Sequence, residues 1–190
     1  MNIFESTRLW WKFEGRYYHK DIINGVKNLY KWFPIVWKDR DHDHYFIYET
    51  LRFKLEQHAY GMSSRDRHTT AQHDAERMLL CARLCQLQQE NLYETEYLDY
   101  VERAHKFTPT EDRKFYTVES KTMVDNLDEY FKRYPRQYNK VINGEITWNG
   151  KPADVSDRTE IAMYIANENQ SRSRKLLFKI LEENIEKFWD

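Results

Sequence analysis

The sequence predicts a mainly α fold, a compact bundle of about five to six helices with a small β-hairpin near 143–152. Three observations predict it. Apolar residues recur at helical spacing in several long segments, cap and stop residues bracket those segments, and two Asn-Gly pairs lie close together late in the chain. A chain of 190 residues is expected to form one domain spanning 1–190, able to bury a core without disulfides or a structural metal. With Trp 6, Tyr 14 and Phe 10, that core is expected to be rich in aromatic side chains, which a disordered chain would lack.

The first helix is predicted over Asp21 to Phe33, where Ile22, Ile23, Val26, Leu29, Tyr30 and Phe33 share a face and Pro34 stops the run. The acidic run beginning at Asp39 supplies an N-cap and first-turn negative charge for a second helix ending before Gly61, with Tyr45, Tyr48, Leu51 and Leu55 inward. Thr69 or Thr70 caps a third helix in which Ala71, Ala75, Met78, Ala82 and Cys85 form a seam of small residues. Tyr97 to His105 reads as a short helix, the segment from Phe107 as a loop, and Val118 to Arg133 as a helix ended or kinked before Pro135. Asn143-Gly144 and Asn149-Gly150 are turn chemistry around the hairpin.

Asp157 with Glu160 three residues later caps the last helix. Its apolar positions are Ile161, Tyr164 and Ile165, then Leu176, Leu177, Ile180 and Leu181, and between these blocks the helical stripe continues through Glu168 and Arg172. Charge at those positions means that the helix breaks there or that its inner face houses something polar.

Lys+Arg 30 against Asp+Glu 31 gives a net charge of -1, so no global field recruits nucleic acid or an anionic membrane. No segment approaches the length of a bilayer span and the start carries no signal-peptide pattern, which points to a cytosol. Cys81 and Cys85 lie one helical turn apart, where disulfide geometry is poor, and read as reduced, buried small hydrophobes.

The densest chemical cluster is Trp37-Lys38-Asp39-Arg40-Asp41-His42-Asp43-His44. It fails as a calcium loop, because counting from Asp39 places His44 and Thr50 where Gly and Glu are needed. A phosphatase Asp-x-Asp motif needs alternating strands and helices that this chain lacks. Two ligand chemistries remain. In the first, Trp37, Asp39, Arg40, Asp41, Asp43, Tyr45, Glu168 and Arg172 form a pocket for a phosphorylated small molecule, with Arg174 as a further donor and Trp148 as a further stacking face. The same charges could instead make an internal salt-bridge network. In the second, His44, His73 and Asp74, with Asp99 or Asp125, fit the His…His-Asp…Asp pattern of the HD-domain metal-dependent phosphohydrolases. No glycine-rich phosphate loop is present, and nothing names a cofactor.

Trp37-Lys-Asp-Arg-Asp-x-Asp, with Phe46 and Leu51-Arg-Phe-Lys-Leu, resembles a group of small proteins encoded by tailed bacteriophages. The likeness extends to Asp74-Ala-Glu-Arg-Met, Asn91-Leu-Tyr, Arg174-Lys-Leu-Leu-Phe-Lys-Ile-Leu and the terminal Trp189-Asp190. It implies a phage genome and the cytoplasm of an infected bacterium, and it implies no particular activity. The expectation drawn from all of this is an accessory protein that binds a phosphorylated ligand or nucleotide signal in an internal polar pocket without catalysis. The alternatives are the HD-like hydrolase and a virion or host-protein-binding scaffold, for which a homo-oligomer is expected.

Overall fold

The computed structural model describes residues 3–13, 15–39, 44–65, 69–111 and 114–188. Among them the chain is mainly α, as expected, with eight α-helices rather than five to six. It divides into two compact units, Met1–Thr50 and Leu51–Asp190.

The first unit holds α1 (Ile3–Phe13), the turn Gly15–Tyr17, α2 (Tyr18–Val36) and the first turn of α3 (Tyr45–Arg65). Helix α1 has no counterpart in the sequence expectation. Gly15 is needed where the chain turns, because a Cβ there would lie 2.7 Å from the Trp11 ring and 3.1 Å from that of Trp10. Pro34 does not stop α2. It sits in the last turn, and the Trp37 N–H donates to the Phe33 carbonyl at 2.9 Å to close the helix beyond it. Only Ile35 is buried on α2, and the apolar stripe from Ile22 to Phe33 lies exposed.

The second unit contains the rest of α3, α4 (Ala71–Gln89), α5 (Leu92–Thr95), β1 (Val101–Pro109), β2 (Tyr116–Asp125), α6 (Leu127–Arg133), α7 (Pro135–Ile142), β3 (Thr147–Trp148), β4 (Lys151–Pro152) and α8 (Arg158–Asn184). Helix α3 runs through Gly61, since its flanking Ala59 and Met62 are buried and their packing outweighs the ~1 kcal/mol helix penalty of a glycine. The expected small seam of α4 is buried throughout.

The region 97–125 departs most from expectation. Glu96–Tyr100 forms a 3-10 turn, and β1 and β2 pair antiparallel, with a register irregularity at Glu102/Arg103. Helical structure resumes only at Leu127, whose N–H is accepted by the Asp125 carboxylate at 3.0 Å. Val101, Thr108, Thr117, Val118, Thr122 and Val124 are β-branched and favour strands over helices, and in register Thr108 faces Thr117 and Val118 faces Phe107. Pro135 opens α7 at its first turn, as proline does. The second hairpin turns at Asn149-Gly150, both at positive φ, while Asn143-Gly144, with Gly144 at positive φ, ends α7.

The core gathers around α8. Leu127, Tyr130, Phe131, Val141, Ile161, Ala162, Tyr164 and Ile165 form one buried cluster, walled by Tyr97, Tyr100, Tyr134 and Tyr138. Asp157 caps α8 as expected, accepting from the Thr159 and Glu160 amides at 2.8 and 3.3 Å. Helix α8 is unbroken across the polar block and runs antiparallel to α4, since Arg77 reaches Asn184 while Gln88 donates to the Gln170 carbonyl at 3.2 Å.

Candidate functional site

The residues expected to line a ligand pocket are shared between the two units. In the first, Trp37 caps α2 at 77% exposure with its ring 5.3 Å from Phe33, Asp39 is half-buried, and Tyr45 opens α3 half in solvent. Arg40, Asp41, His42 and Asp43 lie outside the described residues. In the second, Glu168 is half-buried and Arg172 is exposed. The expectation that these two carry the inward stripe of α8 is therefore corrected. The buried ladder is Ile161, Ile165, Asn169, Ser173, Leu177 and Leu181, one residue out of phase with the ladder Tyr164, Glu168, Arg172 and Leu176. One residue is a rotation of about 100° around a helix. Leu176 is accordingly 46% exposed, and Arg172 and Arg174 face solvent.

The interior of α8 is still polar at its middle, but with small neutral groups. Asn169 and Ser173 are buried, and neither Asn169 Nδ2 nor Ser173 Oγ has a hydrogen-bond partner within the protein. Gln88 on α4 is also buried.

The metal pattern does not assemble. His73 is exposed, whereas Asp74 is 4% exposed and pairs with Arg77 at 3.3 Å. His44 is exposed and lies edge-on to Tyr48 with ring centroids 6.2 Å apart. Asp125 caps α6 and pairs with Arg158 at 3.2 Å, and Asp99 is exposed. Among the described residues no three His, Cys, Asp or Glu groups come together as a metal site.

Cys81 and Cys85 are fully buried on α4, as expected. Burial pushes the Cys81 thiol up to about 11, and burial followed by the neighbouring Cys81 pushes Cys85 up to about 12. Because the folded values exceed the ordinary thiol value of 9.0, folding retains protons that the unfolded chain releases. The stabilisation is complete below about pH 9 and is lost as pH rises through the folded values. Urea midpoints are expected to fall between pH 9 and 11, and to fall less in a Cys81→Ala, Cys85→Ala chain. A flat midpoint over that range in the parent would show that the thiols are accessible to water.

A polar cluster that the sequence did not reveal lies beside the aromatic core. The Glu96 carboxylate, 11% exposed, accepts from Tyr134 Oη at 2.6 Å and pairs with Arg133 at 2.7 Å. Arg133 stands 5.8 Å over the Tyr134 ring and donates to Tyr100 Oη at 3.5 Å. These residues come from the 3-10 turn and α6, elements expected as a different arrangement, so spacing alone held no signal for them. All four groups are mutually satisfied, which marks the cluster as architectural.

Two surface features remain. An open groove of about 760 Å³ runs along α8, bounded by Arg174, Lys175, Phe178, Lys179, Glu182 and Glu183. In the first unit, Ile22, Ile23, Val26, Leu29, Tyr30, Phe33, Val36 and Trp37 are each at least half exposed. Buried Ile35 lies on the far side of α2, and half-buried Trp32 lies on one flank of the stripe. On α1, Phe4, Leu9, Trp10 and Trp11 are exposed as well. No helix among the described residues is long and apolar enough to cross a membrane. No family model, curated protein or solved structure matches the chain.

Proposed function

We propose that this protein is a non-catalytic interaction protein whose docking surface is the apolar stripe of α2. The single observation that carries this reading is the exposure of that stripe: Leu29 at 73%, Tyr30 at 84% and Trp37 at 77%, with buried Ile35 on the opposite side of the helix. Contiguous exposed apolar surface on this scale is uncommon outside interaction sites. The setting implied by the resemblance to small tailed-bacteriophage proteins, the cytoplasm of an infected bacterium, suits a scaffold or a binder of a host protein. A photo-crosslinking residue in place of Leu29 is expected to join the chain to another macromolecule in expressing cells, while the same residue in place of Lys27 is not. No intermolecular adduct from position 29 would sink the reading.

Binding of a phosphorylated small molecule is the second reading, and the groove on α8 favours it. Arg174, Lys175 and Lys179 supply cationic donors, half-exposed Phe178 supplies a stacking face, and the volume lies within the usual range for ligand sites. This reading relocates the expected pocket from the interior of α8 to its outer face. Calorimetric titration with nucleoside triphosphates and cyclic dinucleotides is its test. Heat that disappears in an Arg174→Ala, Lys179→Ala chain supports the reading, and the absence of heat with the parent removes it.

A further inference from the structure

The docking surface has a regular spacing. Ile22, Val26, Leu29, Phe33 and Val36 follow one another at spacings of four, three, four and three, which is the alternation of a heptad seam over two full repeats. Their exposures are 52%, 60%, 73%, 60% and 58%, so every residue of the seam is more than half exposed. We propose that α2 pairs along this seam with α2 of a second copy of the chain. The proposal rests on the reading of α2 as a docking surface and names its occupant.

Three features select a second copy. The first is area. The exposed side chains of the seam and its neighbours Ile23, Tyr30 and Trp37 amount to something on the order of 1,000 Å² per copy, and a stable interface needs about 800 Å² from each partner. The stripe therefore offers enough apolar surface for such an interface when nearly all of it is covered.

The second is charge. With Val26 and Phe33 at a, and Ile22, Leu29 and Val36 at d, the lysines 20, 27 and 31 fall at b and f, away from the partner. The e and g positions are Ile23, Gly25, Tyr30, Trp32 and Trp37, none charged, so two identical basic helices approach without facing like charges. Gly25 has open space around its missing Cβ, which leaves room beside the seam for a neighbouring backbone.

The third is the contrast with a lipid surface. A helix lying in a membrane interface gains from basic side chains that border its apolar face and meet the headgroups. Here the lysines point directly away from the stripe, where they would face water and contribute little to binding anionic lipid. A self-complementary patch on one helix is also what a two-fold symmetric dimer requires.

The test is sedimentation velocity of the full chain at micromolar concentrations, alone and with vesicles containing phosphatidylglycerol. The parent is expected to sediment as a dimer. Leu29→Glu places a carboxylate in the apolar seam of each copy and is expected to weaken association by about a hundredfold or more. Lys27→Glu, on the outer face, is expected to leave it unchanged. Far-UV circular dichroism shows whether Leu29→Glu retains its helices. If it does not, the mass of the position-29 photo-adduct decides instead, with twice the chain mass expected. A monomeric parent overturns the proposal, as does a parent that pellets with vesicles as a monomer. An adduct of any other intermolecular mass overturns self-pairing while leaving the docking surface standing, and the absence of an intermolecular adduct removes both.

Discussion

Tyr130→Ala is expected to lower the unfolding free energy by about 3–5 kcal/mol, whereas Tyr130→Phe leaves it unchanged or raises it. The opposite signs follow from where the ring and the hydroxyl sit. The ring is fully buried, with its centroid 5.4 Å from that of Tyr100, 5.2 Å from Tyr134 and 6.3 Å from Phe131, so truncation opens a cavity at the centre of the aromatic cluster. The hydroxyl is buried without a hydrogen-bond partner, and burial, with the nearby Glu96 carboxylate, pushes its pKa upward. Removing a group that has lost its water and gained no partner recovers a desolvation cost of about 1–3 kcal/mol at most. Urea unfolding followed by circular dichroism measures both changes. A Tyr130→Phe chain destabilised as much as Tyr130→Ala would mean that the hydroxyl is bonded, and that the cluster around Glu96 extends one residue further into the core.

That aromatic core was legible in the sequence as composition, but its architecture was only partly legible. The α4 seam could be read because Ala71, Ala75, Met78, Ala82 and Cys85 repeat at a spacing that no other structure satisfies, and all five are buried. The cap at Asp157 could be read because it depends on the local geometry of a few residues. The segment 97–125 could not, because its apolar residues fit either period and the decision rests on cross-strand partners such as Phe107 and Val118 that are distant in sequence. The ligand site depended on the phase of α8, where two interleaved ladders run through the polar block. The ladder ending in Leu176 would lead charges inward, but the one ending in Leu177 and Leu181 is covered by α4 and its neighbours, and it passes through Asn169 and Ser173. Which ladder turns inward is set by the packed partner, and periodicity alone leaves both open. The stripe of α2 was legible as a stripe, but its exposure is a property of the folded chain.

Arg77→Ala is expected to cost about 2 kcal/mol, below the 3–5 kcal/mol typical of breaking a fully buried pair because the guanidinium is itself partly exposed. The loss comes from what the arginine leaves behind. Asp74 is 4% exposed and its carboxylate accepts from Arg77 Nη1 at 3.3 Å, while the same nitrogen donates to Asn184 Oδ1 at 3.1 Å across the α4–α8 contact. Asn184 is buried too and anchors itself through Nδ2 to the Ile180 carbonyl at 2.9 Å. Removing the arginine leaves two buried acceptors, one of them charged, and uncouples one end of the helix pair whose other end is held by Gln88 on the Gln170 carbonyl. Asp74→Asn in the Arg77→Ala background removes the stranded charge and is expected to restore part of the loss, which a double-mutant cycle by urea unfolding measures. If the second substitution adds to the damage, Asp74 is stabilised by groups other than Arg77. The same cycle bears on function, because an Asp74 whose role is to anchor α4 on α8 through Arg77 is committed to structure and is not held in reserve, with exposed His73, for a metal.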